Sequence, residues 1–88
     1  MIIITRHTVA QKLTDYLQNQ LTLSEVVDWA EQAMQEGEFA PNEFEVVRDI
    51  VSRLGLADVN QFGLTWEDCE KFLARLGYEV RVEVLEAA

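Results

Sequence analysis

One cysteine, one proline, one histidine, four glycines and seven bases among 88 residues are all this chain has of those residue types, and each scarcity removes a class of explanation. Cys69 has no second cysteine to pair with, so a disulfide-stapled secreted scaffold is not expected. His7 stands alone, with no cysteine or second histidine at a ligand spacing, so neither a zinc centre nor a cofactor is expected. The glycines at 37, 55, 63 and 77 read as punctuation between helices, and none belongs to a nucleotide-binding fingerprint. Asp58, Asn60 and Gln61 lack the remaining oxygen ligands of a calcium loop. The apolar run Ile2-Ile3-Ile4 is too short for a signal peptide or a membrane span, which makes cytoplasmic residence the expectation.

Bases are the most telling shortage. Sixteen acids against seven bases give a formal net charge of −9. Arg48, Arg53, Lys71 and Arg75 are interleaved with acids, so binding to nucleic acid or to an anionic membrane is not expected. Between Lys12 and Arg48 there is no base at all, while Asp15, Glu25, Asp28, Glu31, Glu36, Glu38, Glu43 and Glu45 fall in that interval. Such a field attracts a basic partner, or it keeps a surface solvated.

A hydrophobic fraction of 49% with 26% charged residues is the composition of a folded domain. A chain of this length makes one domain, residues 1–88, that buries roughly 60% of the surface its unfolded form exposes.

The clearest element is Thr22 to Gly37. Leu23, Val26, Val27, Ala30, Ala33 and Met34 recur at helical spacing. Thr22 with Glu25 makes a capping box, and Gly37 offers a left-handed terminus. Trp29 lies at the edge of the apolar stripe, where core packing and an interface role are both open. Before this helix, Met1 to Thr5 suits a short strand buried on both faces. A helix capped by Thr5 or Thr8 then runs to about Asn19, and the short Asn19-Gln20-Leu21 turn folds it back on the next as a hairpin.

A third helix starts near Pro41, capped either by Ala40 with Pro41 at its first position or by Asn42 with Glu45. Phe44, Val47, Ile50, Val51 and Leu54 form its stripe. Thr65 and Asp68 open the fourth, with Trp66, Cys69, Phe72, Leu73 and Leu76 inward. Cys69 on that stripe reads as a small hydrophobe rather than a nucleophile. Gly55-Leu56 and Gly77-Tyr78 both read as left-handed caps followed by a residue packing back, Leu56 on Val51 and Tyr78 on Leu73. A shift of 22 residues aligns these two helices, Phe44 with Trp66 included, which reflects shared construction rules more than a repeat. Leu56 to Leu64 reads as an ordered loop.

From Tyr78 to Leu85 the period becomes two, that of a strand. A lone strand needs a partner, and the candidates are Ile2–Ile4 or the same strand of a second chain. The expected fold is therefore mainly α (α+β): four helices and a short β element formed by the N- and C-terminal segments. The expected function is that of a small acidic protein–protein interaction module, not an enzyme, with Glu25, Asp28, Trp29, Glu31, Glu36 and Glu38 as its contacts to a basic protein. The alternative is a structural homodimer or assembly subunit joined through the C-terminal strand.

With Trp29-Ala30 in the acidic helix, Leu56-Ala57-Asp58 after the third and Trp66-Glu67-Asp68 opening the fourth, residues 22–76 resemble small helical bacterial immunity proteins. The resemblance is one of composition, and the strand-like ends differ from that group. It implies an acidic domain that binds and blocks a basic toxin, commonly a nuclease, with carboxylates standing in for phosphate.

Overall fold

The structure, a computed structural model, describes residues 2–57 and 64–80. Along the chain run β1 (Ile2–Ile4), α1 (Arg6–Leu17), α2 (Leu23–Glu36), β2 (Gly37–Phe39), α3 (Phe44–Gly55) and α4 (Trp66–Arg75), with a 3₁₀ turn at Pro41–Glu43 leading into α3. The mainly helical expectation with four helices holds.

Three helices begin where the local chemistry says they should. Thr5, Thr22 and Thr65 each accept a hydrogen bond from the backbone N–H three residues on, and Thr8, Glu25 and Asp68 answer with their side chains. Each reciprocal pair satisfies two amides that a helical first turn leaves unpaired. The helical entry at Pro41 follows Ala40 with no side-chain cap, so the Asn42 alternative is not the one used.

The sheet differs from expectation. β1 pairs in parallel with β2, Ile2 opposite Gly37, Ile3 opposite Glu38 and Ile4 opposite Phe39. The β element described is thus made by the N-terminal segment and an internal one, not by the two ends of the chain. A parallel pair requires a long crossover, and the α1–α2 hairpin supplies it. Of the C-terminal stretch expected to be a strand, Tyr78 to Val80 have no strand pairing, and residues 81–85 lie outside the described residues. So does most of the loop expected from Leu56 to Leu64.

Gly37 is correspondingly not a left-handed cap. Its φ of −80° and ψ of 152° are extended. A side chain is excluded there by proximity: a Cβ would stand 2.7 Å from the Ala33 carbonyl oxygen and 2.9 Å from Ile4 Cγ1. Gly55 is also not left-handed, since Asn19 and Gly77 are the only described residues with positive φ. Leu56 and Ala57 donate instead to the carbonyls of Arg53 and Leu54, three residues back, which turns Leu56 out to 79% exposure instead of onto Val51. Gly77 behaves as read. At φ 92° it lets its own N–H reach the Ala74 carbonyl and the Tyr78 N–H reach that of Leu73, the paired bonds of a Schellman motif.

The core is one cluster. Ile4, Val9 and Leu13 meet Val26 and Ala30 of α2, and Val47, Ile50, Val51 and Leu54 of α3 close it together with Cys69 and Leu76. Packing is closest between α2 and α3, where Ala30 and Ala33 keep the helices near each other. Two apolar residues expected inside are not: Phe44 is 47% and Trp66 44% exposed. Each is the first residue of its helix. Helical side chains lean toward the N-terminus, so a first-turn residue on the core stripe overhangs the end of the packed layer. Ile3 is also exposed, because alternation on β1 sends only Ile4 of the pair into the core.

Candidate functional site: the outer face of α2

With Val26, Ala30 and Ala33 directed into the core, the 100° step of the helix fixes what points away. Glu25, Asp28, Gln32 and Glu36 fall in one exposed row. Trp29 borders that row, half-buried. Glu31 is exposed but rotated toward α3, where its Cγ is 3.7 Å from the position a Cβ on Gly55 would take. Glu38 is carried past the helix onto β2 and is exposed opposite Ile3. The structure therefore gathers Glu25, Asp28, Trp29 and Glu36 along one stripe, with Glu31 on its flank and Glu38 beyond its end.

Two of these acids have local duties. One Glu25 carboxylate oxygen accepts from the Thr22 N–H at 3.0 Å, and Glu36 accepts from Gln32 Nε2 at 3.3 Å. Among the described residues, none of the six takes part in an ion pair. The contrast with α3 is direct. Asp49 there receives Arg53 at 3.1 Å along its own helix and Arg75 at 2.8 Å from α4. Arg75 foremost and then Arg53, both hydrogen-bonded to Asp49, hold its carboxyl below the usual aspartate range.

Trp29 has a neighbour that the sequence did not suggest. Lys12 Nζ of α1 lies 5.5 Å from the centroid of its ring, within cation–π range. This is the last base before the base-free interval, and the chain applies it to the one aromatic residue at the edge of the acidic row. Only the tertiary fold reveals this pairing. The Asp49–Arg53 pair was legible from its four-residue spacing, whereas Arg75 joins it through packing of α4.

Elsewhere, a groove of about 470 Å³ opens between α1 and α4, with Gln11 and Thr14 on one wall and Trp66, Leu73 and Tyr78 on the other. His7 at its end is exposed and lies 3.4 Å from the Tyr78 hydroxyl, while Arg6 lies over the Tyr78 ring. Burial, with a smaller contribution from Asp68, pushes the Cys69 thiol up to about 11, so it is protonated at neutral pH. Among the described residues, no group of three or more His, Cys, Asp or Glu is arranged to hold a metal ion, and no helix is long and apolar enough to cross a membrane. No family model matches the chain, and no curated protein or solved structure is found to be similar to it.

Proposed function

We propose that this chain is a small acidic protein–protein interaction module, without enzymatic activity, whose α2 face receives a basic protein. The action would be that of an immunity-type inhibitor: carboxylates that imitate a polyanion steer and hold a cationic surface. The observation that carries the reading is the exposed row Glu25, Asp28 and Glu36, flanked by Glu31 and Glu38, none of which forms an ion pair among the described residues. Unpaired surface charge of one sign raises encounter rates with an oppositely charged partner and makes the association sensitive to salt.

The test is affinity capture from the native host at low and then moderate ionic strength, run beside a variant carrying Asp28→Lys, Glu31→Lys and Glu38→Lys. A basic protein retained by the wild type, released as salt rises and missing from the variant supports the reading. Equal retention by both proteins, insensitive to salt, overturns it.

A second reading, self-association through strand edges, draws on the 60% exposure of Ile3 on a sheet of only two described strands. Sedimentation at twice the chain mass favours it. Monomeric behaviour at high concentration disposes of it.

A further inference from the structure

The ammonium over Trp29 adds a specific chemistry to that face. We infer that the Trp29 ring is the seat for a guanidinium of the partner, and that Lys12 occupies this seat in the free protein. The inference rests on the acidic-face reading and names the kind of side chain that the face takes.

Three observations meet at this ring. A cation from the chain itself is already placed 5.5 Å from its centroid, so the aromatic face is open to a positive group and oriented toward one. Glu25 precedes Trp29 by one helical turn and is exposed, so its carboxylate lies on the same side of α2 as the ring, while exposed Asp28 continues the acidic row one step further around the helix. Among the described residues Asp28 makes no hydrogen bond or ion pair, leaving it free to accept one. A planar guanidinium can stack on indole while its edge donates to a carboxylate; an ammonium cannot do both in the same way. Lys12 is half-buried and its ammonium meets the ring in this one cation–π contact, which a partner's guanidinium would have to displace. Arginine is therefore favoured over lysine in a partner, and Lys12 competes with it.

A double-mutant cycle with defined probes reads this. Hexa-arginine and hexa-lysine are titrated at low ionic strength into the wild type, Lys12→Met, Trp29→Leu and the double variant, with folding of each checked by circular dichroism. Lys71→Met is the charge control, because it removes one positive charge from the exposed surface of α4. Methionine keeps the apolar stem of Lys12 in place. The expected result is that Lys12→Met binds hexa-arginine about two- to five-fold more tightly than Lys71→Met, the range a freed cation–π contact supplies. That excess should vanish in the Trp29→Leu background and be smaller for hexa-lysine. Equal gains from Lys12→Met and Lys71→Met, or an excess that persists without Trp29, overturn the inference while leaving the acidic face standing. Failure of hexa-arginine to bind any variant, together with an unaffected Asp28/Glu31/Glu38 charge reversal, removes the acidic-face reading and the seat with it.

Discussion

Gly37→Ala and Gly55→Ala are the same chemical change, and the structure predicts opposite effects on stability. At Gly37 the new Cβ would lie 2.7 Å from the Ala33 carbonyl oxygen, 2.9 Å from Ile4 Cγ1 and 3.3 Å from Ile4 Cδ1. The first of these is backbone in the last turn of α2, and Ile4 is wholly buried, so neither neighbour has room to withdraw. Backbone strain is not the cause, since φ −80° and ψ 152° suit any L-residue. Overpacking of this kind costs about 1–3 kcal/mol, against about 0.4–1 kcal/mol gained from the reduced freedom of the unfolded chain, leaving a net loss of roughly 0.5–2.5 kcal/mol. At Gly55 the nearest atoms to the new Cβ are Glu31 Cγ at 3.7 Å and Ala30 Cβ at 3.8 Å, which is ordinary contact. Only the entropic and helical preferences remain there, worth about 0.5–1 kcal/mol in favour of alanine. Because 1 kcal/mol moves the midpoint of a domain this size by about 4–8 °C, the two variants should separate by roughly 5–25 °C in thermal unfolding followed by far-UV circular dichroism. A Gly37→Ala protein as stable as Gly55→Ala would refute the close approach of β2 to Ile4, and with it the parallel register.

The Asp49 carboxyl is held low by Arg75 and Arg53, so its contribution to stability is complete above the ordinary aspartate pKa and disappears as pH falls through the lower folded value. Asp49→Asn should flatten the acid limb of a stability–pH curve below about pH 4, and an unchanged limb would contradict the clamp. Cys69 is shifted the other way, from 9.0 to about 11, so above pH 9 the unfolded chain ionises first and stability should fall up to about pH 11. Cys69→Ala should lack that alkaline loss, and the wild-type thiol should react with a disulfide reagent at pH 8 only as fast as the protein opens. Glu36→Lys should stabilise the fold by about 0.3–1 kcal/mol through the dipole of α2 while weakening capture of a basic partner; a variant that loses stability as well as binding would sink the separation of the two roles.

Helix identity was legible because every cue lay within one turn. Thr22 with Glu25, Thr65 with Asp68 and the Gly77–Tyr78 motif are chemistry between residues two to five apart, and the structure contains all three. The sheet was illegible for the complementary reason. Gly37-Glu38-Phe39 is too short to establish a period of two, and its glycine reads locally as a helix stop. The fact that determines it, Ile4 pressing against Gly37, links positions thirty-three apart. Phe44 and Trp66 show a third case. Periodicity placed both on the core stripe, but periodicity carries no information on where the packed layer ends. Their alignment under the 22-residue shift survives in their similar exposure, 47% and 44%.

The candidate site divides along the same line. Exposure of Glu25, Asp28, Glu31 and Glu36 follows from helical spacing, whereas the place of Glu38 on β2 depended on the unread sheet and Lys12 over Trp29 required the α1–α2 hairpin to close. The charges themselves also carry an argument that spacing alone does not. Helix termini favour acids at the start and bases at the end. In α3 and α4 this rule is kept, with Glu45 and Arg53 at the two ends of one and Glu67, Asp68 and Arg75 at those of the other. In α2 it is kept at the start by Glu25 and broken at the end, where Glu36 sits and no base is present. A lysine at position 32 would pair with Asp28 four residues before it, and one at position 36 would suit the dipole better. The rule is kept at neither end of α1, whose first turn holds no acid and whose last turn holds no base, so the mismatch at the end of α2 is shared within the α1–α2 hairpin and does not by itself single out a binding face. What sets α2 apart is its row of exposed acids beside Trp29, with Lys12 over the indole ring, and under the proposed function both features would serve one basic partner.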